Sequence, residues 1–219
     1  MKISVDLLSV ILSFLYVFFI IFLAYISYRK LGWKGESVRK LIHILASCWI
    51  FVPVYAMTDS LCMLIGPIAF TFINLWFVLS GSSSHLGMED RKRNNGLIYY
   101  PISLLVLVFL YSCNRLSGTA IIAGILMMGW GDGSAALVGS KWGSHSYYVY
   151  KDCNKSLEGS AAMLAVCFLI LVLFTDIPLF WALLASLAVV SVENMTPLGF
   201  DNLTVPLAGA LLVEVLCAL

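Results

Sequence analysis

Long apolar runs follow one another along this chain, with only short polar connections between them. A water-soluble fold of this size has nowhere to bury them all. A helix needs about 20 apolar residues to cross the hydrocarbon core of a bilayer. Eight runs approach that length: Val5–Tyr28, Leu41–Met57, Leu61–Ser80, Leu97–Cys113, Ser117–Val138, Ser160–Thr175, Pro178–Val192 and Leu203–Leu219. The first is too long for a secretory leader and lacks a small-residue cleavage pattern behind it, so it reads as a spanning anchor. The shorter runs cross with little tilt or extend through polar ends. The least distinct boundary is Asp176-Ile177-Pro178, where one long hairpin would replace two spans. The expected fold is all-α: a polytopic membrane bundle of about eight transmembrane helices.

Composition agrees. Only 11% of the residues are charged, against roughly a quarter in a soluble domain. A net charge of +1 gives no footprint for a nucleic-acid partner. The six cysteines, Cys48, Cys62, Cys113, Cys153, Cys167 and Cys217, form no C-x-x-C pair. They read as free thiols, mostly buried, rather than as a disulfide framework or a zinc site.

Basic residues mark the cytoplasmic side of a membrane protein. Arg29, Lys30, Lys34, Arg39 and Lys40 follow the first run. Arg91, Lys92 and Arg93 follow the third, and Lys141, Lys151 and Lys155 follow the fifth. Eleven of the 13 basic residues thus fall on one side, leaving Lys2 and Arg115. This predicts an even number of spans, both termini on the far side, and the loop Glu193–Asn202 on the cytoplasmic side by alternation. The outer connections are too short to build a site. Any site is therefore assembled from helix ends and short loops at the cytoplasmic face.

Four segments there carry chemistry. In Ser37-Val38-Arg39-Lys40-Leu41-Ile42-His43, helical spacing sets His43 beside both Arg39 and Lys40. Basic residues at a membrane edge also serve simply as anchors, but His43 lies a turn deeper in an apolar helix. In Gly129-Trp130-Gly131-Asp132-Gly133-Ser134-Ala135-Ala136, an acid is framed by glycines. Small residues let a helix or a ligand come close. The carboxylate itself demands a partner in an apolar setting, and Mg²⁺ bridging to phosphate is one.

In Asn154-Lys155-Ser156-Leu157-Glu158-Gly159-Ser160, two readings stand: an ordinary helix N-cap, or a phosphate cradle at a helix N-terminus. In the segment from Glu193 to Pro206, Glu193 and Asp201 have no basic residue beside them, which fits either a solvated turn or a position near a metal. Ahead of the fourth run, Arg93 joins the cations, and Tyr99 and Tyr100 read as an interfacial aromatic belt. No P-loop or kinase glycine loop is present.

The ordered set Arg39-Lys40-x-x-His43, Gly131-Asp132-Gly133-x-Ala135, Lys155-Ser156-x-Glu158-Gly159-Ser160 and Asp201-Asn202-x-x-Val205-Pro206 resembles the polyprenol kinase family, which covers phytol, farnesol and dolichol kinases and the CTP-dependent diacylglycerol kinase. The likeness runs from about Ser37 to the end of the chain. It implies one transmembrane domain over 1–219, with an N-terminal spanning helix and linker (1–36) and a kinase-like core (37–219). It implies Mg²⁺-dependent transfer of a nucleotide γ-phosphate, with CTP as donor, to a lipid alcohol drawn from the surrounding membrane lipids. Asp132, Lys155, Glu158 and His43 would be catalytic, with Asp132 or His43 as general base and Glu158 orienting the lysine or the metal. Arg39, Lys40, Arg93, Lys155, Ser156, Gly159, Ser160 and Asn202 would hold the nucleotide. Asp132, Asp201 and Glu193 would take the metal.

Two other readings compete. The related CTP:phosphatidate cytidylyltransferases share the glycine–aspartate and lysine–x–glutamate–glycine elements, but their C-terminal lysine–arginine, lysine–aspartate and histidine–glycine–glycine elements are missing between Glu193 and Pro206. A transporter would need ionisable groups near the bilayer midplane, and only Glu214 offers itself. Glu214 reads instead as a packing or outer-edge group.

Overall fold

A computed structural model of the chain describes residues 2–33, 35–86, 91–150, 153–196 and 199–219. Among these residues eight helical rods run up and down. They are α1 (Lys2–Arg29); α2 (Gly35–Ser47), continued by a 3₁₀ turn into α3 (Phe51–Tyr55); α4 (Ser60–Leu79); α5 (Arg91–Ser112); α6 (Gly118–Leu126), continued by a π-helical segment Met127–Asp132 into α7 (Gly133–Trp142); α8 (Leu157–Phe174); α9 (Leu179–Met195); and α10 (Asp201–Cys217). Six rods are long and apolar enough to cross a membrane, while α9 is apolar but shorter. The chain is a multi-pass helical membrane protein. At Asp176-Ile177-Pro178 two separate helices meet, as Thr175 ends α8 and Pro178 precedes α9.

The polar ends of the rods are longer than the apolar runs alone suggest. The second rod begins at Gly35 rather than Leu41, so Arg39 and Lys40 lie inside a helix. The fourth begins at Arg91, and α7 extends to Trp142. The stretch between α7 and α8, expected to be a loop, contains an antiparallel hairpin, β1 (Ser146–Tyr150) with β2 (Cys153–Ser156). Its residues Ser146-Tyr147-Tyr148-Val149-Tyr150 are of the aromatic and β-branched types that suit a strand.

The α6–α7 rod is the centre of the bundle: 67% of its apolar window is buried, against 22% for α4. Lipid is as apolar as leucine, so helices in a membrane are held together mainly by close packing. Small residues supply it here. A Cβ at Gly124 would lie 2.4 Å from the Pro206 carbonyl of α10, and one at Gly129 would lie 2.3 Å from Ser47 of α2. Gly133 likewise faces Ile44 of α2. Of the two readings of these glycines, close approach of a helix is the one realised. The outward faces of α1 and α4 carry Phe18, Phe22, Phe72 and Trp76, all exposed, as expected for surfaces that meet lipid.

Connections at the far end are tied by acids. Asp6 of α1 accepts from the Thr58 backbone N–H at 2.7 Å and from its hydroxyl at 3.0 Å. Asp59 caps α4 by accepting from the Cys62 N–H at 2.9 Å. Glu214 accepts from the Ser117 N–H at 2.8 Å, which makes it a packing group at that end, as the sequence suggests. Among the described residues five cysteines are free, and two of them, Cys113 and Cys217, are exposed rather than buried.

Candidate active site

The other end of the bundle gathers the start of α2, the end of α7, the hairpin, the start of α8, the end of α9 and the start of α10 around one cavity of about 310 Å³. That size is at the low end for a small-molecule site. Its walls carry three cations, Arg39, Lys40 and Lys155, and four carboxylates, Glu36, Asp132, Glu193 and Asp201.

Helix α2 delivers Arg39 and Lys40 one turn inside its N-terminus. Arg39 donates to Glu36 at 2.7 Å. Lys40 reaches across to Asp132, and this ion pair is buried on both sides. Asp132 is the last residue of the π-helical segment. Such segments insert extra residue in an α-helix and recur at functional sites. Breaking a buried pair of this kind by removing one partner costs about 3–5 kcal/mol.

Strand β2 delivers Lys155. Its ammonium donates to the Glu193 carbonyl at 2.6 Å and to the Glu193 carboxylate at 2.5 Å, closing the end of α9 onto the hairpin. Asp201 opens α10 and accepts from the Asn202 N–H at 2.9 Å. The turn before it uses Gly199, whose φ of +85° suits glycine. Oxygen atoms of Asp132, Glu193 and Asp201 all lie within 4.8 Å of one another. Three carboxylates from three different rods thus converge.

Ser156, Gly159 and Ser160 also line the cavity. Locally Ser156 is an N-cap, accepting from the Gly159 N–H at 3.1 Å. A Cβ at Gly159 would lie 2.7 Å from the Ala135 carbonyl, so glycine here lets α8 meet α7. Ser160 is bonded to the Tyr147 hydroxyl at 2.6 Å, and Tyr147 donates to Asn194 at 2.8 Å. Tyr147 was no part of the sequence-based set. The strand-like run around it was the available signal.

Several expected residues sit elsewhere. Glu158 does not contact Lys155: it accepts from Ser144 at 2.6 Å and pairs with His145 at 2.7 Å, outside the cavity wall. Glu193 occupies the place expected of Glu158, because the helix turn points position 158 toward the 144–145 bend while β2 points Lys155 at α9. The side chain of Arg93, and those of Arg91, Lys92 and Asn154, lie outside the described residues, as do Lys34 and Lys151 altogether. His43 is buried one turn below Lys40 and stacks on Tyr100 at 5.4 Å. Tyr100, expected in an interfacial belt, is only 6% exposed. Asn202 is buried, with its amide donating to the Gly199 carbonyl at 3.1 Å.

A membrane bundle with this endowment, a buried and a part-buried lysine set against converging carboxylates at one rim, has the equipment of an enzyme that handles charged phosphate beside the bilayer. The comparison with characterised proteins agrees. The chain is 36% identical over 193 residues to the phytol kinase of Synechocystis sp., covering 81% of this chain and 78% of that one. The chain therefore belongs to the polyprenol kinase family, and is a kinase that takes its phosphoryl group from a nucleotide. No family profile and no solved structure matches it.

Proposed function

We propose that this protein is a lipid-alcohol kinase that moves the γ-phosphate of CTP to an isoprenoid alcohol such as phytol, the substrate named for its cyanobacterial relative. The observation that carries the proposal is the meeting of Asp132, Glu193 and Asp201 with Lys40 and Lys155 around one cavity at the end of a membrane bundle. The basic-residue bias supports a cytoplasmic position for this end, where nucleotide is available.

The donor set fits Mg²⁺. It consists of hard carboxylate oxygens, and Mg²⁺ takes one or two carboxylates together with water and phosphate. The charge balance fits as well. With four carboxylates against three cations, the bare cavity does not favour a triphosphate. Mg²⁺ held by one or two of Asp132, Glu193 and Asp201 would neutralise that excess and the charge developing on the phosphate oxygens. Lys40 and Lys155 then turn from their carboxylates toward phosphate oxygens, and Arg39 adds a planar fork suited to them.

During transfer the alcohol oxygen bonds to the γ-phosphorus and the bridging β–γ bond breaks, leaving the nucleoside diphosphate. The hydroxyl proton passes to Asp132 or His43. Ser156 and Ser160 complete the polar wall, with Asn202 buried behind it. Seating both substrates at one rim supplies much of the rate.

Purified protein in detergent is given each nucleotide labelled at the α or the γ position, Mg²⁺, and phytol, farnesol or diacylglycerol. Label from the γ position in the lipid product is the expected result. Label from the α position would instead mark nucleotidyl transfer and overturn the proposal.

A further inference from the structure

Below the ion pairs lies a layer of buried polar atoms that the site described so far leaves without partners. Both ring nitrogens of His43, the Tyr100 hydroxyl and the Asn202 carbonyl oxygen have no hydrogen-bond partner among the described residues. His43 and Asn202 are 1% and 3% exposed. A buried polar group left unsatisfied costs about 1–3 kcal/mol, so a cluster of them signals a missing ligand or water. They come from three rods but one neighbourhood. His43 is one turn below Lys40 on α2, and its ring stacks on Tyr100 of α5. Gly96, one turn before Tyr100, packs directly against the Asn202 amide.

We infer that His43 and Tyr100 form the seat of the acceptor hydroxyl, a polar slot beneath the carboxylate cluster. The inference rests on the lipid-alcohol kinase reading and adds to it a positioning residue, Tyr100. A hydroxyl both donates and accepts. It can donate to a ring nitrogen of neutral His43 and accept from the Tyr100 O–H.

The surroundings suit a greasy tail. Val38 and Leu97, on the same two helices and nearer the cavity, form a small apolar cluster with Ala24 of α1. This cluster is separate from the main core and backs onto a helix whose outer face meets lipid.

Tyr100→Phe keeps the stacked ring and removes only the hydroxyl. The expected result is a KM for an isoprenoid alcohol raised about tenfold, as for one lost hydrogen bond, with the KM for nucleotide within about twofold. Independently of turnover, binding of a C20 isoprenoid alcohol and of its parent hydrocarbon is followed by tryptophan fluorescence in detergent. The wild-type protein is expected to prefer the alcohol about tenfold, and Tyr100→Phe to lose most of that preference. Equal preference in the two proteins would overturn the inference and leave the kinase reading standing, since slot-filling water then accounts for the unpartnered atoms. A wild-type protein that transfers no phosphate to any lipid alcohol would sink the kinase reading instead, while the binding preference would still decide the slot.

Discussion

At the end of the bundle away from the cavity, Asp6, Asp59 and Glu214 each accept a backbone N–H from the connection or helix start beside them. At the cavity end, Asp132 and Glu193 are held by lysines that come from other elements, one from α2 and one from β2, and Asp201 joins them within 4.8 Å. The chemistry of the acids is the same at both ends. The difference lies in their partners. An acid satisfied by an adjacent amide is already at rest and stabilises a turn. An acid held by a lysine ammonium from another element can exchange that partner for another cation, and the ammonium is then free to meet an anion. Asp6, Asp59 and Glu214 are therefore structural, whereas Asp132 and Glu193 are available for reaction. Asp201, which takes the Asn202 N–H on one oxygen, is set against them.

Substitutions on the two sides should separate cleanly. The largest effect is expected from Asp132→Asn, which should lower kcat at least about 10³-fold in the labelled-nucleotide assay. Chelation of divalent metal in the wild-type protein should do the same, with recovery on adding Mg²⁺. Full activity in Asp132→Asn would erase the distinction between the ends. Next comes Lys155→Met, expected to lower kcat about 10²-fold. Lys155→Arg should restore little, because a planar fork does not replace a compact ammonium in this tight pair.

On the far side the effects move from rate to stability. Asp6→Ala removes two hydrogen bonds to one side-chain acceptor, and should cost about 2 kcal/mol in denaturation experiments. Its turnover per folded molecule should match wild type. A drop in turnover at unchanged stability would show that the far end takes part in catalysis. The smallest effect is expected at Asp59, where the Cys62 N–H holds the carboxyl below its ordinary range. A group with its folded pKa depressed stabilises above the unfolded pKa and loses that contribution as pH falls through the folded value. The melting temperature of Asp59→Ala should therefore sit slightly under wild type at neutral pH, and the gap should close below about pH 4.

Much of this was readable from residues alone, and the gaps have physical causes. The eight rods follow from apolar runs, because a bilayer enforces helix on any apolar segment long enough to enter it. Arg39, Lys40, Asp132, Lys155 and Asp201 could be picked out because each is a charge at the edge of an apolar run. What sequence spacing does not give is long-range pairing. Lys155 lies three residues from Glu158 but bonds to Glu193, since a strand and a helix N-terminus point those two side chains apart. Tyr100 sits beside Tyr99 and looks like its equal, yet Tyr99 meets Phe200 edge-on while Tyr100 turns inward onto His43. What separates them is the way α5 is wedged in the bundle, which sends Tyr99 toward the start of α10 and Tyr100 toward α2. The hairpin was legible in principle, through the run Ser146-Tyr147-Tyr148-Val149-Tyr150.

Around the widened helical turn Met127–Asp132, length is as important as identity in this rod. The π-helical stretch takes up its extra residue in a widened turn, so a deletion inside it that restored ordinary winding would leave the helix beyond close to its present facing. A deletion in α6, ahead of it, would swing everything beyond through about 100°. Asp132 would then face away from Lys40, and Gly133 away from Ile44, although no residue type had changed. Across α6 the protein should tolerate many replacements of similar volume but no insertion or deletion, whereas the widened turn Met127–Asp132 should absorb the loss of one residue.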